Sequence, residues 1–179
     1  MRLPLTGGCQ CGKIRYAITD EPQLVYACHC TECQRATSSA VSMGLVLTEG
    51  AFRLSGAEPR SVQRATDSGR TTTRWVCSEC GTWVCSGAKP GSATPNTVRV
   101  VRAGTLDDTS WLRPTTHYWT RSKQLWITLP EGGPHLRDPT YGRGLVKGTP
   151  ASFRLLQRLI DYGIATGYLR GRTVQRTSG

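Results

Sequence analysis

No stretch of the 179 residues approaches the roughly 20 apolar residues that a membrane-spanning helix needs. Aromatic residues supply only 7% of the chain. Both shortages argue against a membrane protein. The opening Met1-Arg2-Leu3-Pro4-Leu5-Thr6-Gly7 turns polar too soon for a secretory leader. Acids are scarce as well, 12 against 23 lysines and arginines, for a formal net charge of +11. That excess is uneven. Residues 140–179 carry Arg143, Lys147, Arg154, Arg158, Arg170, Arg172 and Arg176 against Asp161 alone, a net +6. The charge is therefore weak evidence that the rest of the chain binds nucleic acid.

Cysteine, by contrast, is plentiful. Seven of the eight cysteines fall into three clusters: Cys9 and Cys11; Cys28, Cys30 and Cys33; Cys77 and Cys80. Thiols this close make strained disulfide partners. Without a leader, a disulfide framework is disfavoured, and clustered free thiols fit a reducing, cytoplasmic setting. They read as metal ligands. A closed structural zinc takes four ligands, and a catalytic zinc keeps three plus an open position. Seven divides as four plus three: Cys9, Cys11, Cys77 and Cys80 for a closed site, Cys28, Cys30 and Cys33 for an open one. Cys11 and Cys80 are each followed by glycine, Gly12 and Gly81, which permits a positive-φ turn with N–H groups aimed at sulfur. Cys33 is followed by Gln34 and Arg35 instead.

Two points stay open at this level. Cys85 could complete a second four-cysteine site; alternation in Thr82-Trp83-Val84-Cys85 instead puts Trp83 and Cys85 on one strand face, which suits a buried free thiol. His29 lies between two ligands, so its ring is expected to point away or to orient a neighbouring group.

The remaining pattern is mainly β, with short strands and Gly/Pro turns. Lys13–Ile18 alternates as a half-buried strand. Leu24–Ala27 is an apolar run that delivers the three-cysteine cluster, and Thr71–Val76, β-branched and aromatic, delivers Cys77. Val41–Leu47, Ala51–Gly56, Val98–Ala103 and Pro114–Trp119 are further strand candidates, and Leu125-Trp126-Ile127 is expected to make the last core contact. Asp107 and Asp108 read as turn caps rather than as an acid/base pair. His117 is a candidate proton shuttle or substrate contact. The chain divides into a metal-binding domain over 1–139 and a basic tail over 140–179. In the tail, Thr149-Pro150 opens an amphipathic helix at 150–163, of about three turns, with Phe153, Leu156, Leu159, Ile160 and Gly163 on one face. That helix is expected to dock on the domain or on a second subunit, as in a homo-oligomer.

Three stretches resemble the glutathione-dependent formaldehyde-activating enzyme family: Gly8-Cys9-Gln10-Cys11-Gly12-Lys13-Ile14-Arg15-Tyr16, Cys28-His29-Cys30-Thr31-Glu32-Cys33-Gln34-Arg35 and Cys77-Ser78-Glu79-Cys80-Gly81-Thr82. Gly104-Thr105-Leu106-Asp107-Asp108 and His117-Tyr118-Trp119 are similar to its later blocks. The resemblance spans about 4–138. It implies an Mss4-like, zinc-built β fold with two Zn²⁺ per chain. The structural zinc would sit on Cys9, Cys11, Cys77 and Cys80, and the catalytic zinc on Cys28, Cys30 and Cys33. It also implies a carbon–sulfur lyase or synthase that reversibly adds glutathione, or a similar thiol, to formaldehyde or another small aldehyde. One departure is visible: the family's Gly-Ser after the arginine-containing stretch is Ser38-Ser39 here.

A three-thiolate zinc carries a net −1, so it favours a soft sulfur ligand over the making of hydroxide. Arg35 and Arg74, near the ligands in sequence, are candidates for holding substrate carboxylates. The competing reading is a zinc-stabilised binding module that contacts nucleic acid or an acidic partner through the basic tail. Against it, the aromatics do not interleave with the basic residues as a base-stacking surface would.

Overall fold

The computed structural model describes residues 1–65, 71–91 and 98–137. The tail and its expected helix at 150–163 lie outside them. Eleven strands and one α-helix occur among the described residues. In order they are β1 (Leu5–Gly8), β2 (Ile14–Ile18), β3 (Leu24–Cys28), α1 (Thr31–Thr37), β4 (Ser42–Thr48), β5 (Phe52–Gly56), β6 (Arg60–Ala65), β7 (Thr71–Val76), β8 (Trp83–Ser86), β9 (Val98–Arg102), β10 (Thr116–Tyr118) and β11 (His135–Leu136). The mainly β expectation holds. No helix among these residues is long and apolar enough to cross a membrane.

The strands form two sheets. The smaller has the order β1-β2-β5; the larger runs β11-β10-β3-β4-β9-β8-β7-β6. Pairing is antiparallel, except that β10 runs parallel to both β3 and β11. In the larger sheet one cross-strand row joins Val25, Leu45, Val101, Cys85 and Trp75. This row shares a core with Leu5, Ile14, Tyr16, Ile18 and Phe52 of the smaller sheet. Ile14, Ile18, Leu45, Leu47 and Val101 are fully buried, and each such side chain is worth about 1.5–3 kcal/mol relative to exposure. Alternation then turns Tyr26, Cys28, Ser42, Gly44 and Arg102 to the opposite face of the larger sheet.

Two expectations need correction. Leu125 and Trp126 are not core residues: they are 96% and 75% exposed. They lie beyond the three-residue 3₁₀ turn Thr120–Ser122, outside any strand. Trp83 and Cys85 do not share a face either. The register slips between Trp75 and Val76: Trp75 pairs with Cys85, but Val76 pairs with Trp83, so Val84 is an extra residue. Such a bulge inverts the alternation beyond it. Cys85 stays in the core, where it accepts a hydrogen bond from Arg99 at 3.2 Å, and Trp83 goes to the face that carries Cys28.

Candidate metal centres

Cys9, Cys11, Cys77 and Cys80 come together with all four sulfurs within 4.8 Å of one another, and so do the three sulfurs of Cys28, Cys30 and Cys33. Individual separations are 3.4 Å for Cys9–Cys11, 3.7 Å for Cys11–Cys77 and 3.5 Å for Cys28–Cys30. Tetrahedral zinc with Zn–S of about 2.3 Å sets its sulfurs about 3.8 Å apart. Both groups fit that ion. Cys85 joins neither.

The four-cysteine group is built from two similar turns. In one, Gly12 has φ +77 and its N–H donates to the Cys9 carbonyl at 3.0 Å; in the other, Gly81 has φ +72 and donates to the Cys77 carbonyl at 3.0 Å. Glycine takes this left-handed backbone without strain. The Ile14 N–H donates to Cys9 Sγ at 3.2 Å. One turn joins β1 to β2 and the other joins β7 to β8, so the group links the two sheets.

The three-cysteine group sits at the end of β3. Cys28 closes the strand, Cys30 caps α1 by accepting from the Cys33 N–H at 3.3 Å, and Cys33 lies in the first turn. Cys28 is buried, while Cys30 and Cys33 are half-buried. Sulfurs this close cannot all carry charge without a cation. Hydrogen bonds from Cys28 and Cys33 hold Cys30 far below the usual thiol range, while Cys30 in turn pushes Cys28 far above it. A divalent metal would let all three ionise.

The ligand loop is held from outside. Gln34 Nε2 donates to the His29 carbonyl at 2.7 Å and to the Ser122 carbonyl at 2.9 Å, and its Oε1 accepts from Gln124 at 2.9 Å. His29 is buried and turned away from the sulfurs. Its Nε2 lies 2.9 Å from His117 Nδ1, the two rings stack at 5.2 Å, and His135 packs edge-on against His117 at 5.5 Å. All three histidines of the chain thus meet behind the loop. Burial lowers both His29 and His117, the latter to about 4; Lys123 and then His135 add to the shift at His29, and His29 and His135 to that at His117. The pair is neutral at physiological pH.

The arginines divide as well. Arg35 is exposed and pairs with Glu32 at 3.1 Å. Arg64 also pairs with Glu32. Arg74 stacks on Trp83, with its guanidinium carbon 4.2 Å from the ring centroid. Arg102, only 7% exposed, donates to Ser42 Oγ at 2.8 Å and to the Tyr26 hydroxyl at 2.9 Å. Ser42 is the register partner of Cys28, so this guanidinium lies beside the three-cysteine group. Asp107 does not cap a turn: it pairs with Arg15 and accepts from Thr6 Oγ1, across to the smaller sheet, whereas Asp108 accepts from the Ser110 N–H at 2.9 Å as a turn cap does.

A family model described as glutathione-dependent formaldehyde-activating enzyme matches residues 4–122. The chain belongs to this family. The match takes in all seven clustered cysteines. It ends before His135 and before the basic tail. Comparison with the curated proteins gives no match. Among solved structures, the crystal structure of a Rhodobacter sphaeroides protein, a Northeast Structural Genomics target, is similar with TM-score 0.39 and 16% identity, over 57% of this chain and 87% of that one.

Within this family member, sequence reasoning passed over Gln34, Ser42, Arg102 and His135. Arg102 left one weak signal: with Arg99 it is one of two cations in the otherwise apolar run Val98–Ala103. The departure at Ser38 also finds its place. Ser38 ends α1 in the left-handed conformation, φ 50 and ψ 37, and its N–H donates to the Gln34 carbonyl. Helices commonly end on glycine at such a position.

Proposed function

We propose that the chain reversibly adds a thiol, glutathione or a close relative, to formaldehyde or another small aldehyde, and so acts as a carbon–sulfur lyase of the S-(hydroxymethyl)glutathione synthase kind. Two Zn²⁺ serve it: a structural ion on Cys9, Cys11, Cys77 and Cys80, and a catalytic ion on Cys28, Cys30 and Cys33. The observation that carries the reading is the second group. It has three sulfurs at zinc-binding spacing with no fourth cysteine beside them among the described residues, at a half-buried position, in a member of a family described as glutathione-dependent and formaldehyde-activating.

A zinc held by three thiolates would supply a soft, electron-rich position that takes a substrate sulfur as thiolate. The protein's own residues do the rest. Cys28, Cys30 and Cys33 fix the site at a strand–helix junction. Gln34 and the His29–His117 pair hold the ligand loop in place, so that sulfur and aldehyde carbon meet with little reorganisation. In the addition a carbon–sulfur bond forms, the carbonyl π electrons move to oxygen, and the proton lost by the thiol ends on that oxygen. The product is a hydroxymethyl thioether, with no change of redox state, and the reverse path returns thiol and aldehyde.

The test is exchange spectroscopy of ¹³C-formaldehyde with glutathione. Zinc-loaded protein should accelerate the exchange between free aldehyde and adduct, and Cys30→Ser should abolish the acceleration. Equal exchange rates with and without the loaded protein would overturn the proposal.

A further inference from the structure

The sheet face beside the three-cysteine group holds more positive charge than its acids balance. Arg64, Arg74 and Arg102 converge there, and the ion pairs of the described residues give only Arg64 an acid, Glu32. Arg102 is built in. Its side chain crosses β4 at Gly44, where an added Cβ would come within 2.7 Å of Nη2. Its guanidinium carbon lies 4.4 Å from the Trp83 ring centroid, and Arg74 stacks on the same ring. The partners found for Arg102, Ser42 and Tyr26, are both neutral, and its buried Nε has no hydrogen-bond partner. Burying a guanidinium without a counter-charge costs several kcal/mol. A loaded three-thiolate site carries one negative charge, which balances one of the two unpaired arginines. Arg74 remains, half-buried and lowered by desolvation and by the nearby Arg64 and Arg102. An aromatic ring flanked by two guanidiniums, one of them still donor-rich and accessible, is an arrangement that receives an anion.

We propose that Arg74, Trp83 and Arg102 form the carboxylate-recognition face of the thiol site, with Arg74 the residue that discriminates a thiol with free carboxylates from one whose carboxylates are masked. The inference rests on the reading of the three-cysteine group as a thiol site. Arg74 contacts the carboxylate; Arg102 is a positioning residue that holds Trp83 and adds its field.

Three probes test this on the zinc-loaded full chain, by calorimetry and metal-edge spectroscopy: glutathione, its diethyl ester, in which the carboxylates are masked, and S-methylglutathione, in which the sulfur is masked. Glutathione should bind at least tenfold tighter than the ester. Arg74→Gln should bring the two within about threefold by weakening glutathione alone, and Arg74→Lys should recover part of the difference. S-methylglutathione should bind wild type and lose its binding in Arg74→Gln. Equal binding of glutathione and ester to wild type, with sulfur on the metal, would overturn the carboxylate face and leave the thiol reading standing. So would an equal loss of both ligands in Arg74→Gln, because the arginine would then serve only the metal centre. If no probe sulfur reaches the metal and S-methylglutathione still binds through Arg74, the thiol reading falls and the anion face stands. No binding of any probe would overturn both.

Discussion

Removing one ligand from each cysteine group should have opposite consequences, and the asymmetry can be sized from the fold. Cys9 and Cys11 belong to the β1–β2 turn of the smaller sheet, and Cys77 and Cys80 to the β7–β8 turn of the larger one. A metal on these four sulfurs staples the two layers on either side of the core. Closed zinc sites contribute about 10–16 kcal/mol in small domains, as much as the whole stability of about 5–15 kcal/mol expected of a domain. Cys80→Ser should therefore leave the protein unfolded, or with the smaller sheet detached. Cys28, Cys30 and Cys33 instead lie together within six residues, at the end of one strand and the start of α1. Their metal crosses no layer. Cys30→Ser should lose one zinc and the activity, yet keep the fold with a melting temperature within several degrees of wild type. The assay is zinc per chain with a circular-dichroism melt, both variants purified alongside wild type. A Cys80→Ser protein that melts like wild type with one zinc fewer would refute the reasoning, as would a Cys30→Ser protein that is unfolded.

Three further perturbations follow from particular contacts. Ser38→Gly should raise stability by about 0.5–1 kcal/mol, because a left-handed backbone costs a non-glycine residue about 1–2 kcal/mol and glycine's own entropy offsets part of that; a melt displaced upward by about 2–4 °C checks it. Gln34→Ala frees the His29 and Ser122 carbonyls, at a cost of about 1–3 kcal/mol, and zinc should leave the three-cysteine site faster in a chelator competition while the closed site keeps its rate. His117 is lowered to about 4 by burial and by the neighbouring histidines, against about 6.5 in the unfolded chain. The unfolded state then binds the proton first, so the stability this residue confers is complete above pH 6.5 and is lost as pH falls through 4. Urea unfolding of wild type and His117→Gln at pH 7.5 and 4.5 should show the gap between them shrink by about 2–3 kcal/mol in acid; a constant gap would contradict it.

The gathering of the thiols into a group of four and a group of three was legible because it is written in their spacing. Two pairs, each followed by a glycine, became two turns with positive φ at Gly12 and Gly81. The strands that deliver the ligands, β3 and β7, were visible for the same reason that they fold: apolar or β-branched runs ending at a cysteine. Other features depend on contacts far apart in the chain. β6 is a polar edge strand with one large apolar residue, Val62, so its alternation of half-buried Val62 and Arg64 with exposed neighbours leaves no hydrophobic pattern to read. The bulge at Val84 depends on how β7 and β8 pair, and it moved Trp83 from the expected core face to the site face. Arg102 reaches its partners across β4 through the space left by Gly44, a relation between residues 58 positions apart. The three histidines meet only because β10 lies beside both β3 and β11. Leu125 and Trp126 show the converse, an apolar pair that the fold leaves in solvent.

The most direct measurement is zinc per chain on freshly purified protein, with glutathione titrated while the metal-edge spectrum is followed. The account predicts two zincs, one unchanged throughout and one that gains a sulfur ligand as glutathione is added. Two zincs that both keep their full complement of protein sulfurs, and do not respond to glutathione, would contradict it.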